Sequence, residues 1–277
     1  MRTNLYELLS QQQFDATKEY ERLWTLFFEE KAIYSHYVRY TLQEFIDEKY
    51  FRQLPFRGSF SSIDDLMNAL GLSLRTRVSI DTLLLFCELL IALLPDVDTK
   101  MVPTFGVQKR TILGNIYHIL ERTNHETCHD REGREIIVEK SKQVTLAAEL
   151  VTDPTIAFDL IEYNHFALKG HLAEKKQLLA SIATYIEPIL KSNALQNNGY
   201  KQLQSDAGFA FNNFHIRHNN KEGTKRKEYI AALNDRELED LYDKSYEIAI
   251  SVIIINDYLQ ISSEIKSIKD KVQGGSD

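Results

Sequence analysis

The stretch NDRELEDLYDKSYEIAISVIIINDYL, Asn234 to Leu259, decides the class of fold. It opens with Asn234 and Glu237 at capping-box spacing. Leu238, Leu241, Tyr242, Ser245, Ile248, Val252, Ile255 and Leu259 then recur on a heptad-like stripe. Together these predict one long helix with an apolar face. Only 11 glycines and 5 prolines interrupt 277 residues, so elements are long and turns few. The chain therefore reads as all-α, mainly helical, with room for one short hairpin near residues 127–140.

Working upstream, Lys201 to His218 reads as a helix, and Asn193 to Gly199 as a loop. Leu172 to Lys191 carries an inward stripe of Leu178, Leu179, Ile182, Tyr185, Ile186 and Leu190, with Pro188 bending its last turn. Asp153-Pro154 is a helix start, a capping carboxylate before a proline at the first helical position, and that helix is expected to run to about Gly170. Lys142 to Leu150 resumes a helical pattern, and Glu135 to Glu139 (EIIVE) is the convincing strand. Residues 123–134 read as a polar loop. Helices are further expected from Thr104 or Val107 to Arg122, from Ser79 to Pro95, and from Ser62 to Leu70. In residues 15–50, Tyr20, Leu23, Trp24, Phe27 and Phe28, then Tyr34, Tyr37, Val38, Leu42, Phe45 and Ile46, predict two packed helices.

The expected domains are an N-terminal helical domain (1–150), a C-terminal helical bundle (151–270) and a disordered tail (271–277). A content of 43% hydrophobic and 26% charged residues is that of a globular chain. The apolar runs Thr82 to Pro95 and Ile248 to Ile255 fall short of the roughly 18 to 20 residues that span a bilayer. The start, MRTNLYELLSQQQFD, lacks the features of a signal peptide. Two cysteines suit a reducing compartment, Cys87 reading as a buried hydrophobe. These features predict a cytoplasmic protein without membrane contact. A net charge of −7 argues against indiscriminate duplex binding along a broad surface, though not against a local basic site.

Such a site lies at FNNFHIRHNN, Phe211 to Asn220, which packs four asparagines, two histidines and an arginine into ten residues. On a helix, Asp206, Ala210, Asn213 and Arg217 share one stripe. The arginine can stabilise a phosphate, and His215 or His218 can move a proton near neutral pH. Those capacities are what RNA cleavage by its own 2′-hydroxyl requires, with no metal or cofactor. Asn219, Asn220, Lys221, Lys225, Arg226 and Lys227 are the expected RNA contacts, and Arg217, His218, Asn213 and His215 the expected catalytic groups. The competing reading makes Asn219-Asn220 a polar helix stop and pairs Arg217 with acids of the last helix.

An arginine followed by a polar residue, between helices of a C-terminal bundle, resembles the signature of the HEPN superfamily. IEYNHFALKGHLAEKKQLLASIA (Ile161 to Ala183) and FNNFHIRHNN also resemble bacterial phage-defence proteins of the abortive-infection type, over roughly residues 135–260. The resemblance implies a metal-independent endoribonuclease effector in anti-phage or toxin-type defence. RNA would be its substrate, a homodimer its assembly and a defence-system protein a possible partner. Arg217 would be the motif arginine and His218 the polar residue after it. The family leaves about four to six residues before a second histidine, whereas Glu222, Gly223 and Thr224 stand here and no histidine follows His218. Either His215 or His218 carries the proton, or the domain is a sensor or scaffold that binds without cutting. Arg122 to His129 is a second pair at the family spacing, but Thr123 follows the arginine where the family usually places Asn, Asp or His.

A third reading rests on His125-Glu126-Thr127-Cys128-His129, which matches HExxH and on a helix would place both histidines on one zinc. Its polar flanks favour a loop. Lys175-Lys176 reads as an ordinary solvated pair, and His118 as a packing residue.

Overall fold

The computed structural model describes residues 14–35, 38–54, 57–100 and 102–273. Among these, twelve α-helices and two short hairpins make the chain predominantly helical. Contacts divide it into two compact units, residues up to Cys128 with Arg134–Ile137, and His129–Gly133 with Val138 onwards.

In the first unit α1 (Ala16–Trp24) is capped by Asp15, whose carboxylate accepts the amides of Thr17 and Lys18. A π-helical turn (Thr25–Glu29) follows it. The helix expected across residues 34–46 is instead an antiparallel hairpin, β1 (Lys31–Ser35) and β2 (Val38–Thr41), leading into α2 (Leu42–Lys49). Ile33, Tyr34, Val38 and Tyr40 are β-branched or aromatic, types that suit a strand as well as an apolar helix stripe. Tyr37 lies outside the described residues. Thr41 closes a reciprocal capping box with Glu44, and so fixes where the strand turns into helix.

Ser62 and Ser79 cap α3 (Ile63–Ala69) and α4 (Ile80–Leu93) as their sequence predicts. Tyr20 packs on Phe86 with ring centroids 4.8 Å apart. Cys87 is fully buried, and burial pushes its thiol far above the ordinary range. Glu88, the one acid in that apolar run, accepts the Ile137 amide at 2.7 Å. Next comes α5 (Pro103–Arg122), on which His118 faces solvent rather than packing.

β3 (His125–His129) and β4 (Glu135–Glu139) form the second hairpin, so residues 125–129 are a strand and not a loop. The rest of the second unit is α6 (Lys142–Leu150), α7 (Pro154–Glu162), α8 (Leu172–Lys191), α9 (Ala194–Asn197), α10 (Lys201–Asn213), α11 (Glu228–Ala232) and α12 (Asp235–Gln273). Three boundaries differ from expectation. The helix begun at Asp153 stops at Glu162, a single helical turn forms inside 193–199, and α10 ends at Asn213 instead of His218.

α12 packs mainly on α8 and α10, with α6 against its flank. Val144, Leu160, Leu179, Ile182, Phe211, Tyr242, Ala249 and Val252 meet in one core. By length and composition α12 could cross a membrane, yet Ala249, Ile250, Val252 and Ile253 of its apolar run are buried in this bundle. The tail expected from 271 is helical to Gln273, and residues 274–277 lie outside the described ones.

Candidate functional site: the loop after the tenth helix

The helix carrying FNNFHIRHNN stops where a left-handed residue stops it. Phe214 donates its amide to the Ala210 carbonyl, His215 takes φ +62°, and the Arg217 amide reaches back to Phe211 at 3.1 Å. This is the C-terminal cap usually given to Gly or Asn. Histidine is among the few other side chains that enter the left-handed region with any frequency. Asn212 and Asn213 turn their amides onto Gly208 and Phe209 carbonyls, 2.8 Å away in each case. Arg217 therefore leaves the helical stripe of Asp206, Ala210 and Asn213. Buried Ile216 anchors the loop in the core.

Asn220 builds the rest of the loop. It is 1% exposed. Its Oδ1 accepts the His215 amide (2.9 Å), its Nδ2 donates to the Lys225 carbonyl (3.1 Å), and its own amide donates to His215 Nδ1 (3.1 Å). Its carbonyl accepts Lys227 N–H at 2.8 Å. Read from sequence as an RNA contact, Asn220 has its polar groups committed inside the loop.

Arg217 is neither free nor paired with the last helix. It donates to the Ala183 carbonyl and lies 3.3 Å from Glu187 Oε2, both on α8. Glu187 also meets Lys191 at 2.6 Å, and the Lys191 contact, then Arg217, hold its carboxyl below the usual range. His218 is half-buried, Lys221 is half-buried, and Lys225, Arg226 and Lys227 are exposed. Arg226 pairs with Glu228 at 3.0 Å.

The residue that sequence reasoning missed is Lys176. Its Nζ lies 3.1 Å from His215 Nε2. Lys175, its neighbour, is not solvated either. It is 7% exposed, 2.8 Å from both Glu239 and Asp243, and over the Tyr163 ring. Consecutive helical positions point about 100° apart, which sends Lys175 toward α12 and Lys176 toward the loop. No local signal tells two adjacent lysines apart.

Hydrogen placement at His215 follows from its two contacts. A backbone N–H can only donate, so Nδ1 must accept from Asn220 and be unprotonated. The ring proton of neutral imidazole is then on Nε2, facing Lys176. That contact is a hydrogen bond only when the Lys176 amine is uncharged, and a repulsive approach when it is charged. Burial lowers the Lys176 pKa. Burial, then Lys176 and Lys221, lowers that of His215, with Glu222 opposing. Among the described residues no carboxylate pairs with Lys176. The pair thus offers either a basic lone pair or an uncompensated cation, the two properties needed to accept a proton and to hold an anion.

HETCH supplies no comparable site. On β3, His125 and His129 are four strand positions apart, about 13 Å, too far to share one zinc. His125 Nδ1 instead meets the Thr123 carbonyl at 2.7 Å. Among the described residues no three His, Cys, Asp or Glu side chains converge as a ligand set.

No protein-family model, no curated protein and no solved structure matches the chain.

Proposed function

We propose that the chain is a HEPN-like, metal-independent endoribonuclease of the anti-phage or toxin type, working at the loop after α10. The observation that carries the reading is the Lys176–His215 contact. An amine and an imidazole meet there with, among the described residues, no carboxylate paired to the amine, beside Lys221 and a run of exposed cations at 225–227. A phosphodiester supplies the missing negative charge. Lys221 and the cations at 225–227 hold that phosphodiester, and an uncharged Lys176 amine, its lone pair released from the His215 Nε2–H, takes the proton of the 2′-hydroxyl as that oxygen attacks phosphorus. Returned to the departing 5′-oxygen, that proton leaves a 2′,3′-cyclic phosphate and a 5′-hydroxyl. The His215 Nε2–H, released from the amine, donates to a phosphate oxygen, and Lys221 adds to the field on the anion. Arg217 serves by bracing the loop to α8 through Glu187 and Ala183.

The test is expression in a bacterial host. Growth arrest with RNA breakdown is expected for the wild type and not for Lys176→Met. RNA breakdown that persists at full rate in Lys176→Met removes the site.

A second reading, an RNA-binding sensor or scaffold of the same kind, is favoured by the engagement of Arg217 with Glu187 and the lack of any histidine after His218. It predicts RNA retention on a filter, equal for ribose and 2′-deoxyribose strands, with no cleavage.

A further inference from the structure

Beyond its packed half, α12 carries a second apolar face that is left exposed among the described residues. Tyr258, Ile261, Ile265, Ile268 and Val272 are between 47% and 73% exposed. Their spacings of three, four, three and four residues are those of a and d positions in a heptad, with Tyr258, Ile265 and Val272 at a and Ile261 and Ile268 at d. At 100° per residue this stripe is centred roughly 130° around the helix from Leu238, Tyr242, Ala249 and Ile253, with buried Ile250 at its edge. Ser263, Lys266, Ser267 and Asp270 make the opposite face polar.

We infer that this tip associates in parallel with further copies of the same chain as a short coiled coil. Charge placement selects the occupant. In a parallel pair each g position faces the e position five residues further along its partner. Here those are Glu264 and Lys269, so every copy brings both halves of the pair. Two heptads are too few for an isolated peptide, but this helix is already nucleated by the bundle below it, which removes the main cost of forming it. Isoleucine stands at both d positions and at the central a position, Ile265, a composition that favours more than two strands. The inference stands independently of the ribonuclease reading.

Sedimentation of the full chain across a concentration series tests it. The expected result is a mass rising from 32.1 kDa to a multiple of it, and an Ile265→Glu variant that stays monomeric with unchanged circular dichroism. Glu264→Lys should weaken association about fivefold, and adding Lys269→Glu should restore it. Ile268→Cys in a Cys128→Ser background should form an interchain disulfide on oxidation, because parallel strands bring like positions together. Association without that crosslink overturns the parallel arrangement. A wild type that is monomeric throughout, or that is monomeric and floats with phosphatidylcholine vesicles through this stripe, overturns the proposal.

Discussion

Lys175 and Lys176 are adjacent on α8, and their surroundings differ in one respect. Lys175 is embedded among acids. Glu239 and Asp243 each approach within 2.8 Å, Tyr163 donates to Asp243 at 2.9 Å, and the Gly170 amide donates to Glu239 at 2.8 Å. Burial alone would raise the Glu239 carboxyl, but the Gly170 amide and Lys175 outweigh it and hold it low. Burial, then Asp243, pushes the Tyr163 hydroxyl far above its usual range. Lys176 meets an imidazole and, among the described residues, no acid. A buried charge surrounded by its complements is a structural part, whereas one left short of them is a place where a ligand can supply what is missing.

The contrast can be broken most severely at Lys175. Lys175→Met leaves Glu239 and Asp243 crowded against Tyr163 without their cation, and should cost about 2–3 kcal/mol of stability in urea unfolding. Asn220→Ala comes next. It strands the His215 amide and the Lys225 carbonyl, and about 2 kcal/mol should be lost in the same assay. The pH dependence is smaller. A His215 pKa below the ordinary 6.5 means the unfolded chain binds more protons, so His215 should cost stability as pH falls through 6.5 toward its folded value. His215→Asn, which tolerates the left-handed backbone, should flatten that slope in melts taken between pH 5 and 8. Lys176→Met should matter least, changing stability by no more than about 0.5 kcal/mol. If it costs as much as Lys175→Met, the two lysines are equivalent and the distinction fails.

Much of the fold is legible because its helix starts announce themselves within four residues. Ser62, Ser79, Asp153-Pro154 and Asn234 with Glu237 all cap as their chemistry predicts. What misleads is residue type without context. Aromatic and β-branched residues at 33–40 satisfy helical spacing and strand propensity alike, and the hairpin wins. In FNNFHIRHNN the apolar spacing continues past Asn213, and only the left-handed turn at His215, stabilised by an asparagine five residues later, ends the helix. The loop was visible as a candidate site because its composition is unusual. Lys176 was not, because its contact with His215 joins residues 39 apart and leaves no trace in local pattern.

The most direct measurement is cleavage of a single-stranded RNA by the purified chain in the presence of a metal chelator, comparing wild type with Lys176→Met and an all-2′-deoxy strand as control. Cyclic-phosphate ends are expected from RNA and none from the deoxy strand, with a loss of about 100-fold or more in Lys176→Met at unchanged folding. Cleavage that is unchanged in Lys176→Met, or that needs a metal ion, would contradict the ribonuclease reading.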